Sequence, residues 1–428
     1  RCTYACHSPE HGPSRRDFLG GVTLGALSTF GLDAMIQPAA AKELDRQQKR
    51  VLCVFLHGGV SQLETWDPKP GTDTGGPFRA IPTSVPGIHI SELLPHTAKR
   101  MHRMALVRSL NTKEDDHGKG RRLMETGRRE DPSTDYPHLG AVTAKLLGSE
   151  NQALPGFLHV SPTGGGGFGS KDAAFLGPRY ASVRLADGKA PPNLLPPDAL
   201  TEGLDARREA LRRKLNERFA KTRRTAQTEA YTASYDQAAQ FIRSADVLDT
   251  SREPTHLQDL YGRHDFGRHC LLARRLLERG AAFVEVSHTN YDTHHENFDF
   301  HIEQMAEFDR TFATLLDDLA DRGMLETTLV IVMSEFGRTP RINHRYGRDH
   351  WSKAWSVALA GCGIQAGAVV GKTNANGTAV TDREVGAGHL FHTYLRAVGL
   401  DPTRNFYPDQ RPVPIADPEA GAIEEILA

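Results

Sequence analysis

Four short stretches carry residue types that do chemistry. In Asn290-Tyr291-Asp292-Thr293-His294-His295-Glu296-Asn297, one carboxylate and two imidazoles fall within four residues, just past an apolar run. Packing gives little reason for that density. A divalent metal does, because neutral imidazole and carboxylate oxygen are its ordinary ligands. A second apolar run ends directly in Ser334-Glu335-Phe336-Gly337-Arg338, and Gly347-Arg348-Asp349-His350-Trp351 follows it with another carboxylate–imidazole pair. Singly, each pair is explained by a structural hydrogen bond; the repetition across distant segments argues for convergence on one site.

The third stretch, His57-Gly58-Gly59-Val60-Ser61-Gln62-Leu63-Glu64-Thr65-Trp66-Asp67, also follows an apolar run. Its glycines let backbone approach a ligand, and Glu64 and Asp67 are within reach of a metal. The plainer reading is a tight turn with solvated acids. In the fourth, Asp115-Asp116-His117-Gly118-Lys119-Gly120-Arg121, His117 and Arg121 are four apart and share a helical face. A helix start with an arginine one turn in suits an oxyanion. The plainer reading makes Asp115 or Asp116 an ordinary N-cap.

These stretches need strands that end beside one another. Residues 51–56 form a continuous apolar run, the pattern of a strand buried on both faces of a parallel sheet. Residues 104–109, 282–286, 329–333 and 355–359 read as further strands. Residues 118–127, 269–279, 303–321 and 390–398 read as helices, the first ended by Gly127. Residues 151–200, rich in Gly and Pro, read as loop or insertion, and 205–245 as a charge-laced helical region whose arginines are solvated. Strands alternating with helices predict an α/β fold with a largely parallel sheet, whose ligands sit beyond the carboxyl ends of the strands.

The 428 residues carry 39% hydrophobic and 25% charged residues and a net charge of -1, a globular composition with no basic block to hold nucleic acid. Near the start, Ser14-Arg15-Arg16-Asp17-Phe18-Leu19 precedes a weakly apolar stretch and then Pro38-Ala39-Ala40-Ala41. Twin arginines, a modest apolar core and a small-residue cleavage site predict a twin-arginine export signal over residues 1–41 and a periplasmic or secreted protein. Asp33 and interspersed polar residues make that stretch a poor membrane span, and no other apolar run reaches the roughly 18 residues a span needs. Residues 42–428 are expected to form one domain with a loop and helical insertion around 151–250. Of five cysteines, Cys2 and Cys6 fall in the segment expected to be removed. Cys53, Cys270 and Cys362 make no disulfide framework.

In their order, the stretches FLHGGVSQLETWDPKP, HGKGRRLMETG, YDTHHENF, MSEFGRTPRIN, GRDHW and LAGCGIQAGAVVGKT resemble the secreted bacterial proteins grouped as domain of unknown function 1501, over most of Val51 to Pro402. Members of that group resemble the alkaline phosphatase and sulfatase superfamily, which implies a central sheet with a metal site at the strand ends. The resemblance implies that Asp292 with His294 or His295, then Glu335, then His350, hold the metal. Phe336 stands where the superfamily has an imidazole, and the acid after the first strand arrives late, as Glu64 or Asp67. Aligned on Thr126-Gly127, Arg121 takes the superfamily arginine position and His117 the nucleophile position, which has no hydroxyl or thiol here.

The resulting expectation is an exported metal-dependent hydrolase of small or polymeric phosphate or sulfate esters. Glu64, Asp292, His294, His295, Glu335, Asp349 and His350 are the candidate ligands, and the mixed N/O set suits Zn or Mn better than Ca. Arg121 and Arg338 are expected to stabilise the transition-state anion. His117 is left as nucleophile, ligand or water-orienting group. The rival is a non-catalytic exported binding protein that keeps the fold. Substrate and oligomeric state are not written in the sequence.

Overall fold

The computed structural model describes residues 48–148, 154–163, 172–189, 201–222 and 244–428, with 232, 235–239 and 241–242 between the last two. The stretch expected to be an export signal, residues 1–41, and the glycine run 164–167 lie outside the described residues.

Among the described residues the central sheet has eight strands: β1 Arg50–Leu56, β2 Met104–Leu110, β3 Phe157–Ser161, β4 Val183–Ala186, β5 Phe283–His288, β6 Thr328–Met333, β7 Trp355–Gly361 and β8 Val369–Val370. Their spatial order is β8-β2-β7-β6-β1-β5-β3-β4. β1, with every residue buried, pairs in parallel with β5 on one side and β6 on the other. Only β7 runs against its neighbours, so the sheet is mostly parallel as expected.

Alternation along β1 divides the core. Leu52, Val54 and Leu56 join a cluster with Val284, Val286, Val330 and Val332 on one face; Val51, Cys53 and Phe55 join Phe283, Leu329, Ile331 and Met333 on the other. Each face is covered by amphipathic helices, which is why these strands read as continuous apolar runs. Five helices matter here: α1 His117–Thr126, α2 Leu139–Leu147, α3 Asp265–Glu278, α4 Asn297–Asp321 and α5 Ala387–Ala397. α3 and α4 pack on the first face, and α1, α2 and α5 on the second. Gly127 ends α1 as expected, in the left-handed region at φ 69°, where glycine carries no Cβ penalty.

Two expectations are corrected, and one strand has a direction that the sequence left open. Residues 151–200 contain two sheet strands, β3 and β4, at one edge. β3 is a buried five-residue run, but His159 breaks its apolar pattern and Gly and Pro flank it. α4 starts at Asn297, six residues early, so the end of the Asp292 stretch is already helical. β7 is antiparallel, a direction that a run buried on both faces does not encode.

Candidate metal centre

β1, β5 and β6 are parallel neighbours, so their carboxyl ends lie side by side and deliver His57, Asn290–Asn297 and Ser334–Glu335 to one edge. The loop after β1 lies close against the loop after β5. Gly58 sits at φ 114°, and a Cβ there would stand 2.4 Å from the Asp292 amide nitrogen. Only glycine fits that approach. α1 then brings His117 over the same edge, its start capped by Asp116, which accepts from the Lys119 amide at 3.0 Å.

Four of the expected residues converge. One ligand atom each from His117, Asp292 and His350 lies within 4.8 Å of the others. His117 Nε2 is 3.4 Å from Asp292 Oδ2, and His350 Nε2 is 3.2 Å from Asp292 Oδ1. His294 Nε2 joins them, 3.1 Å from Asp292 Oδ1 and 3.0 Å from His350 Nε2. Phe336, where the resemblance led to an imidazole, packs against His117 and His350 with ring centroids 4.8 and 4.4 Å away.

The far nitrogen of each ring has an acceptor, which sets its tautomer. His350 Nδ1 faces the Asp115 carbonyl at 2.7 Å, so it carries the hydrogen and Nε2 presents a lone pair to the cluster. His294 Nδ1 faces Asp349 at 2.8 Å, and His117 Nδ1 faces Glu335 Oε1 at 2.8 Å. A carboxylate or carbonyl behind each imidazole is the arrangement that orients metal-binding histidines. Burial, with the Arg338 charge adding to it, lowers the His350 pKa and favours the neutral ring. His117 is shifted up, first by its hydrogen bond to Glu335 and then by the charges of Glu335 and Asp292. Burial would raise the Asp292 carboxyl, but the Arg338 guanidinium outweighs it and holds the group down at about 2.

Other expected site residues have partners of their own. Glu335 is buried, with Oε1 bonded to the Gly58 amide at 2.9 Å as well as to His117, and Oε2 2.9 Å from the Ser334 hydroxyl. It stands behind His117 and orients it. Asp349 likewise stands behind His294. Glu64 is outside the cluster: fully buried, it binds Arg348 through both oxygens at 3.0 and 2.8 Å and accepts from Asn297 at 3.0 Å. His295 turns aside toward Glu296, 3.7 Å away. Arg338 is fully buried and engaged with the carbonyls of Gly58, Gly59 and Arg348 and with Asp292. Arg121 points inward, to Glu125 at 2.7 Å and Glu285 at 3.4 Å.

That interior polar group, with Glu125, His138, His159, Glu285 and Ser287, went unread in the sequence. Glu285, a carboxylate inside an otherwise apolar strand, was the available signal. Burial would lower the His138 pKa, but Glu125 and Glu285 outweigh it and push it to about 10. A histidine raised from an ordinary value of 6.5 contributes stability that is fully present below about 6.5 and lost as pH rises through about 10. The unfolding midpoint of the metal-free chain is therefore expected to fall between pH 7 and pH 10, and His138→Gln to flatten that fall. A midpoint independent of pH in the parent chain would contradict the pairing.

The profile of one protein family, described as "Protein of unknown function (DUF1501)", matches residues 48–427. The chain belongs to the DUF1501 family. No curated protein matches it. Among solved structures, a sulfatase from Pseudoalteromonas sp. is similar at 12% identity and TM-score 0.36, covering 86% of this chain and 73% of that one. A lipoteichoic acid synthase from Listeria monocytogenes is similar at 7% identity and TM-score 0.39, covering 83% and 73%. The alkaline phosphatase of the Antarctic bacterium TAB5 is similar at 14% identity and TM-score 0.35, covering 83% and 99%. Likeness at this level leaves the chemistry of this DUF1501 member to be argued from its own side chains.

Proposed function

We propose that the chain is an exported metal-dependent hydrolase of phosphate or sulfate esters, working at the cluster of His117, Asp292, His294 and His350. The observation that carries this reading is the convergence of three imidazole Nε2 atoms on the Asp292 carboxylate, each ring oriented from behind by Glu335, Asp349 or the Asp115 carbonyl. Three nitrogens and one carboxylate suit zinc, and manganese next. A divalent metal there supplies Lewis-acid polarisation of an ester oxygen and acidifies water.

The chain's own residues do the rest. Arg338 fixes Asp292 in place. Glu335 holds the hydrogen on His117 Nδ1, so that Nε2 faces the cluster, which supports a ligand or water-orienting role over a nucleophilic one. Phe336 walls one side with an apolar ring and limits water beside the imidazoles. The turnover of an aryl phosphate and an aryl sulfate, with and without chelator, tests the reading. Hydrolysis of either ester that is lost with chelator and restored by zinc or manganese is expected; metal-replete protein without turnover overturns it.

One observation favours a second reading, a protein that holds a metal and its ligand without turnover. Arg121 and Arg338, expected to face the developing anion, are both engaged in the interior. The same assay separates the two.

Export rests on Arg15 and Arg16 with the small-residue site after them. Among the described residues no helix is long and apolar enough to cross a membrane. Replacing both arginines with lysine is expected to leave the precursor in the cytoplasm; unimpaired export of that variant refutes the signal.

A further inference from the structure

We propose that His57, His159, Glu285 and Ser287 form a second, interior metal site, which takes a zinc-type divalent cation and fixes the loop after β1 beneath the outer cluster. The argument starts from strand register. His159 of β3 is the direct partner of Glu285 of β5, and Ser287 lies two residues on from Glu285, so all three side chains leave the same face of the sheet. β1 delivers His57 from its end onto that face, with the His57 amide bonded to the His288 carbonyl at 2.7 Å. Ligands held on paired strands are placed more rigidly than ligands on loops.

The side chains meet at one point. Ser287 Oγ is 2.8 Å from His57 Nε2 and 2.8 Å from His159 Nε2. Glu285 Oε1 is 3.4 Å from that same His159 Nε2. One ligand atom each from His57, His159 and Glu285 lies within 4.8 Å of the others. A proton relay does not explain this. In a Ser-His-acid relay the hydroxyl and the carboxylate take opposite nitrogens of the ring; here both address Nε2. Two imidazoles and a carboxylate turned on a common centre are instead three donors of the kind zinc takes, with the Ser287 hydroxyl beside them.

The electrostatics are compatible. Burial, helped by the Arg121 charge, lowers both His57 and His159 to about 4, so both rings are neutral and hold lone pairs at neutral pH. Glu285 is held ionised against burial by its hydrogen bond from His138 and by the His138 and Arg121 charges. Arg121 and the protonated His138 are the competing cations; His138 addresses the other carboxylate oxygen, its Nε2 3.4 Å from Glu285 Oε2. Arg121 Nη2 lies 3.4 Å from Glu285 Oε1, a long contact, whereas its Nε holds Glu125 at 2.7 Å. The guanidinium keeps its closer partner when Oε1 turns to a metal. The position of the site gives it a purpose. Gly58, the next residue after His57, gives its amide to Glu335 and its carbonyl to Arg338, the two residues that orient His117 and Asp292. Anchoring His57 therefore steadies the outer cluster from below.

This inference stands apart from the hydrolase reading, and its test separates the two. The purified chain is stripped with chelator and titrated with Co(II), which is followed by its visible d–d bands, in the parent, His159→Ala and His350→Ala. Two equivalents are expected for the parent and one for each variant. The ion remaining in His350→Ala should give the intense bands of low-coordinate Co(II). Equal binding by the parent and His159→Ala overturns the interior site. So does a His350→Ala variant that binds nothing. One equivalent in the parent, kept in His350→Ala and lost in His159→Ala, upholds the interior site and sinks the outer one. If His159→Ala does not fold, Ser287→Ala takes its place, with weakened retention of the ion in a His350→Ala background upholding the site and unchanged retention overturning it.

Discussion

Arg348→Ala is expected to destabilise the fold by about 3–5 kcal/mol, the cost of leaving a buried charge without its partner. Arg348 and Glu64 are both fully buried and bound to each other through two nitrogens and two oxygens. The guanidinium also holds the carbonyls of Thr74, Thr339 and Pro340, so the substitution orphans three acceptors along with the carboxylate. The pair joins the loop after β1 to the segment that carries Asp349 and His350. Its loss should therefore loosen the cluster of His117, Asp292, His294 and His350 before the whole chain unfolds. Removing both charges, as in Glu64→Leu with Arg348→Met, is expected to cost less than Arg348→Ala alone, because no charge is then stranded. Denaturant unfolding of the three variants checks the ordering. A single variant as stable as the parent would show that the pair does not hold the loop.

Asp292→Asn is expected to lower metal affinity and ester turnover by at least about 100-fold, since replacing even an outer partner of a metal ligand typically costs 10–100-fold. Among the described residues, Asp292 is the one acid that touches three of the imidazoles and also neutralises Arg338. Asn leaves that guanidinium buried beside a neutral amide and takes away the negative charge that attracts the ion. Asp349→Asn, acting only through His294, should fall within the 10–100-fold range instead. Metal affinity and kcat/KM for the two variants give the comparison. Asp349→Asn proving the more damaging would reverse the assignment of ligand and orienting carboxylate.

The sheet was legible where both faces of a strand are apolar. Val51–Leu56 and Leu329–Met333 carry no competing signal, and the loops beyond them hold the residues that the structure brings together. β3 was hidden because His159 interrupts its apolar run; that imidazole is satisfied by Ser287 and Glu285 on a strand 128 residues or so away in sequence, which no local pattern reveals. The grouping of Asp292, His294 and His350 could be read from residue type and density. Which carboxylate faces inward could not. Glu335 and Asp349 look like ligands in sequence, yet each stands behind an imidazole, a distinction set by side-chain direction over a few ångströms. Glu64 looked equally suitable until Arg348 supplied a buried partner. Arg338 has the composition of an anion binder, but the backbone carbonyls of Gly58 and Gly59 claim it first. His57 stands in a motif, whereas Ser287 and Glu285, which it meets, sit inside a strand whose apolar pattern hides them.

The most direct measurement is anomalous difference density, collected at the zinc edge, from crystals of the chain soaked in zinc. The expected result is a peak bounded by His117 Nε2, Asp292, His294 Nε2 and His350 Nε2, at roughly 2.0–2.2 Å from its ligand atoms. The absence of a peak among these four side chains, whatever is found at the interior site, would contradict the assignment of the outer cluster as the metal centre.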